Sequence, residues 1–141
     1  MTKIRNIFNN GKRFGAKTGV VSVNGFNVCP DAITAAATPA TVTRAQMNQY
    51  DYFNIGSGGA TNEFDLPDAA EIGEVLTLRA TAAFELRTET DSNDINNVPN
   101  TGYATTAGDV LTCFKVTATD WIVTKVTILG AAATVVAGVA P

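Results

Sequence analysis

The 141-residue chain reads as an all-β protein, an antiparallel β-sandwich or barrel-like domain with an extended N-terminal arm. Three observations predict this. Short runs rich in valine, threonine and aromatic residues recur about every ten positions with no sustained helical period, the spacing of a sandwich or barrel. Threonine and alanine dominate the composition, and threonine suits a pleated surface half covered by a neighbour. Charge is uneven: Lys3, Arg5, Lys12, Arg13 and Lys17 precede the first acid, Asp31, so thirty residues at +5 lead into a remainder at −8. Residues 1–40 are therefore expected to be arm and connector, and residues 41–141 the β-domain.

Along the chain, Ile4, Ile7 and Phe8 have the spacing of a short amphipathic turn, which Asn9, Asn10 and Gly11 would stop. Residues 19–28 read as strand, with Asn24-Gly25 as a hairpin signal. Residues 30–39 are a small-residue connector between two prolines. In residues 41–55, Thr43 and Gln46 fit a capping box and a short helix, whereas Tyr50, Tyr52 and Ile55 favour a strand at the end of the run. The glycines at 56, 58 and 59 mark a turn. A strand over 62–67 stops at Pro67, which has no N–H to donate, and 68–73 is a turn or a single helical turn. Residues 74–80 form a strand with Val75 and Thr77 on one side and Leu76 and Leu78 on the other. Residues 84–89 form another, with Phe84 and Leu86 sharing a face. Residues 90–100 read as a long polar loop. The last two strands are 108–118, with Val110, Phe114 and Val116 on one face, and 121–129.

Composition excludes much chemistry. Histidine is absent, which removes Ser-His-Asp and Cys-His nucleophile systems and HExxH zinc sites. Cys29 and Cys113 alone cannot complete a four-ligand zinc site, and they read as buried thiols rather than a disulfide. No metal and no cofactor is expected. The apolar stretch 126–141 is too short to span a bilayer, and the N-terminus has no signal-type apolar run, so no membrane partner and a cytosol-like site of synthesis are expected. Charged residues make up only 16% of the chain, which points to surface covered by other copies of itself or by a partner.

The order of features from Ala40 to Val126 carries a resemblance. A threonine lead-in at 41–43 precedes an aromatic strand at 50–55 and the glycine turn. Then come Phe64-Asp65-Leu66-Pro67-Asp68-Ala69, Ile72-Gly73 before a strand, Ala107-Gly108-Asp109 before another, and Trp121-Ile122-Val123. This order resembles the β-sandwich module of phage head-fibre and capsid decoration (cement) proteins. The resemblance implies a homotrimer that binds the major capsid protein on the outside of the head and stabilises it, in a virion assembled in the host cytoplasm. It implies that the arm lies on the capsid through Lys3, Ile4, Arg5, Phe8, Lys12, Arg13 and Phe14. It also implies that Phe64, Leu66, Phe114, Trp121 and Val123 form the subunit interface or core. The alternative is a fibre or adhesin module that binds host glycan through an exposed aromatic near Trp121 or Tyr103.

Sharper chemical readings are weaker. Asp91-Ser92-Asn93-Asp94 has calcium-like oxygens but no EF-hand glycine or distal glutamate. Glu63, Asp65, Asp68, Glu71 and Glu74 could suggest a glycosidase pair, which needs two carboxyls facing across a cleft. The glycine turn lacks the Gly-Lys-Ser/Thr ending of a phosphate loop. An acidic body repels nucleic acid, so no nucleic-acid partner and no small-molecule substrate are expected. The chain is expected not to be an enzyme.

Overall fold

The structure is a computed structural model and describes residues 27–99 and 101–127, with the backbone of 132–133. The strands of four or more residues lie close to where the sequence places them, shorter ones arise in stretches read as connector or loop, and the pairing differs. The chain coils between two sheets and makes three turns. The first holds β1 (Ile33–Ala35) and β2 (Ala40–Thr41), the second β3 (Tyr52–Ser57) and β4 (Glu63–Leu66), and the third β5 (Val75–Ala80) and β6 (Glu85–Thr88). β1, β3 and β5 pair in parallel, and so do β2, β4 and β6. Ile33 faces Ile55 and Glu63 faces Glu85, so one turn of the coil takes about 22 residues. The fold is thus a nearly all-β solenoid of mixed sheets, not an antiparallel sandwich. Each strand pairs with the next-but-one strand in sequence, because the intervening strand and its turns supply the long crossover that parallel pairing requires.

The coil ends where the chain reverses. β9 (Tyr103–Ala104) pairs antiparallel with β6, β10 (Val110–Lys115) antiparallel with β5, and β11 (Asp120–Val126) antiparallel with β10. The larger sheet runs β1-β3-β5-β10-β11-β7-β8, with β7 (Asp94–Ile95) and β8 (Val98–Pro99) at its far edge and β12 (Ala132–Ala133) also on β11. The smaller sheet runs β2-β4-β6-β9.

Local chemistry accounts for the joints. Helix α1 (Arg44–Met47) begins at a full capping box: the Gln46 N–H donates to Thr43 Oγ1 (3.2 Å) and the Thr43 N–H to Gln46 Oε1 (2.8 Å). Arg44 then grips buried Glu74 with two bonds (2.8 and 2.6 Å), tying the helix to the entry of β5. Gly73 turns that entry at φ +91°, and its N–H donates to the Lys115 carbonyl. The 90–100 stretch is not a plain loop. Asn96 (φ 55°) and Asn97 (φ 63°) make a tight turn between β7 and β8, and Ile95 enters the core. The Asn96 carboxamide completes the ladder beside β11, accepting from the Val123 N–H (2.9 Å) and donating to its carbonyl (3.0 Å). The expected connector also holds structure: Cys29 joins the sheet through the Tyr52 carbonyl (2.8 Å), and β1 follows. β3 runs one residue past Gly56 before the chain bends.

The core fills the space between the sheets. The larger sheet supplies Phe53, Ile55, Leu76, Leu78, Leu111, Cys113, Trp121 and Val123, and the smaller supplies Phe64, Leu66 and Leu86. Phe64 and Phe84 meet edge to face at 6.1 Å. Each such side chain contributes roughly 1.5–3 kcal/mol of burial. A buried lysine joins them: Lys115 is 1% exposed, its Nζ lies 5.1 Å from the centre of the Trp121 ring, and no acceptor reaches it. Burial pushes its ammonium pKa down. No described helix is long and apolar enough to cross a membrane.

Candidate association face

The outer face of the larger sheet is built by strict alternation. In β10, Leu111, Cys113 and Lys115 point inward, so Val110, Thr112 and Phe114 point out. In β11, Trp121 and Val123 point inward and leave Ile122, Thr124 and Val126 outside. Register aligns these residues with β5 and β3 in three rows. One row is Val75, Phe114 and Ile122. The next is Tyr52, Thr77, Thr112 and Thr124. The third is Asn54, Arg79, Val110 and Val126.

A hydroxyl row thus runs between two rows containing apolar side chains, and Arg79 is the single charge among these residues. Phe114 is 38% exposed, Ile122 46% and Val126 43%; the first two are cross-strand neighbours, and Val126 stands on the same face beyond the threonine row. Scattered exposed apolar residues are ordinary, but several sharing one sheet face with a single charge make that face a candidate interaction surface. With one charge, the face offers little to an acidic or basic partner. It fits another neutral, flat β-surface.

Phe64, Leu66, Trp121 and Val123 are all buried within the chain, so they are core. Phe114 is not in that core: it stands on the outer face with Ile122 and Val126, which the sequence reading did not single out. The apolar pattern of 121–126 covers both faces of β11, so only the pairing with β10 tells inside from outside. Lys3, Ile4, Arg5, Phe8, Lys12, Arg13 and Phe14 lie outside the described residues.

The other candidate constellations come apart. Trp121 and Tyr103, near which the glycan-binding alternative expects an exposed aromatic, are themselves buried, the Tyr103 hydroxyl donating to the Ile95 carbonyl (2.9 Å), and the exposed aromatic near Trp121 is Phe114. Of the acidic cluster, Glu74 is buried and held by Arg44, Asp68 accepts from Asn93 (2.7 Å) and Thr90, and Glu63 and Asp65 lie on the outer face of the smaller sheet. No cleft gathers them. A shallow depression of about 270 Å³, lined by Asn27, Val28, Gln49 and Tyr50, holds no carboxylate. Among the described residues no group of three acids or cysteines is placed to hold a metal ion. Cys29 and Cys113 are both buried and free, and burial pushes the Cys113 thiol above its ordinary range. Comparison with known proteins returned no match to a family model, a curated protein or a solved structure.

Proposed function

We propose that the chain is a structural virion protein that closes into a homotrimer through the outer face of its larger sheet and decorates the outside of a phage capsid. The exposed group Phe114, Ile122 and Val126 on a nearly uncharged sheet supports this reading most directly. A monomer would leave that face in water, whereas a trimer would cover it. The basic arm, with Lys3, Arg5, Lys12, Arg13 and Lys17 interleaved with Ile4, Phe8 and Phe14, supplies charge and apolar anchors for the major capsid protein. A protein that binds only the assembled shell stabilises it by its binding free energy, and many copies multiply that effect.

Light scattering over a dilution series tests the first half: a mass of three times 14.7 kDa that holds on dilution is the expected result. Co-sedimentation with heads tests the second. Deleting residues 1–17 should leave the trimer and remove capsid binding. A stable monomer overturns the self-association reading, and undiminished binding by the truncated chain overturns the role of the arm.

A further inference from the structure

We propose that the outer face of the smaller sheet is a proton-operated clasp: Glu63, Asp65, Glu85 and Arg87 hold the second coil to the third while one carboxyl carries a proton, and loosen when all three are charged. The register puts Glu63 directly opposite Glu85, and Asp65 opposite Arg87, across the β4–β6 pair. Arg87 Nη2 spans both glutamates, 3.3 Å from Glu63 Oε1 and 3.2 Å from Glu85 Oε2. One guanidinium therefore answers two carboxylates, and the third, Asp65, has none. Asp65 Oδ1, Glu85 Oε1 and Arg87 Nε are all buried without a hydrogen-bond partner.

The cluster has little room to relax. Glu85 is nine-tenths buried, and Gly102 packs so tightly on it that a Cβ there would stand 1.9 Å from Glu85 Oε1. The surroundings add no positive charge. β2 offers Thr41, whose hydroxyl donates to the Asp65 carbonyl (2.8 Å), and β9 offers Ala104 opposite Glu85. The segment after β6 brings Glu89 and Asp91, both of which disfavour a charged Asp65. A protonated Asp65 leaves the cluster at a net charge of −1, Arg87 facing two carboxylates. An ionised one puts a third negative charge in a half-buried row, where like charges on adjacent strands destabilise pairing. Burial first, then the Glu63 and Glu89 carboxylates, push the Asp65 carboxyl up to about 7, and Arg87 only partly opposes them.

Carboxyl-carbon NMR titration of the full chain, with amide exchange in β4 and β6, tests the clasp. The expected result is an Asp65 midpoint above pH 6, lowered by Glu63→Gln. Protection of the β4 and β6 amides should fall roughly tenfold between pH 6 and 8, after correction for intrinsic exchange, and Asp65→Asn should abolish that fall. An Asp65 midpoint in the ordinary carboxylate range overturns the proposal, as does an equal loss of protection in Asp65→Asn. Should that variant fail to fold, the wild-type titration decides alone.

Discussion

Replacing Phe114 and Ile122 together by threonine should dissociate the assembly without unfolding the subunit. Threonine keeps the strand preference and matches the neighbouring Thr112 and Thr124, so the pleated surface survives. Fully burying a phenylalanine or isoleucine contributes about 1.5–3 kcal/mol. Phe114 is 38% exposed and Ile122 46%, so covering what remains is worth about 1 kcal/mol for each. The pair then contributes about 2 kcal/mol to each contact it enters, roughly a 30-fold change in association constant. Three such contacts compound in a closed trimer. The assay is light scattering from high to low micromolar concentration, beside urea unfolding of the dissociated subunit. The subunit's own stability should fall by about 1–2 kcal/mol, because the part of each side chain already covered within the subunit is lost as well. A dilution curve superposing on wild type would refute the assignment of this face, and unfolding of the variant at low urea would show that these side chains serve the fold instead.

Other perturbations probe the parts that hold the face in place. Gly102→Ala should destabilise by about 1–3 kcal/mol through overpacking on Glu85, and most of that loss should vanish in a Glu85→Ala background when both are compared by urea unfolding. Arg44→Ala should cost about 2 kcal/mol in thermal unfolding, because Glu74 is 1% exposed and loses a two-bond partner whose own side chain is 31% exposed. Lys115→Met should raise stability by about 1 kcal/mol: it removes an ammonium with no acceptor at nearly equal volume, a gain larger than the lost contact over the Trp121 ring. A loss of more than about 1 kcal/mol in that variant would mean that the ring contact outweighs desolvation. Linkage at Asp65 has a definite sign. A carboxyl raised from 3.8 to about 7 contributes stability fully present below pH 3.8 and lost as pH rises through 7. Wild-type stability should therefore fall between pH 4 and 7 by more than that of Asp65→Asn, as read by urea unfolding at each pH.

Local structure was legible in the residues, and pairing was not. The Thr43–Gln46 capping box, the strand stop at Pro67 and the inward Leu76 and Leu78 follow from side-chain chemistry within a few positions. Strands about ten residues apart suit hairpins between neighbours. They suit equally a coil in which alternate strands pair at twice that spacing, as Glu63 does with Glu85 and Ile33 with Ile55. A 22-residue self-comparison would have set Glu63-Phe64 over Glu85-Leu86, a weak signal. The β7–β8 hairpin was hidden because its turn uses Asn96-Asn97 without glycine and because Ile95 and Val98 are isolated apolar residues in a polar run. Phe114 was read as subunit interface or core, and which of the two it faces depends on the inward Cys113 and Lys115. A lysine is a poor sequence marker for the inner face of a strand.

The proposed association face is complete only once β10 and β11 have paired. Its rows draw Val75 and Thr77 from the third coil, Tyr52 and Asn54 from the second, and Phe114, Ile122 and Val126 from the two strands that follow the reversal. Parallel coiling alone would leave β5 as an open edge, where its unpaired backbone groups would invite end-to-end stacking. β10 closes that edge by pairing antiparallel with β5, and the same step sets Phe114 beside Val75 and Ile122. The strand that ends the solenoid therefore also creates the neutral surface. A subunit whose β10 and β11 have not docked has a raw edge and no complete face, while a docked one has a face and a closed edge. At that end of the coil, the proposed trimer would therefore form between subunits whose β5 edge is already closed.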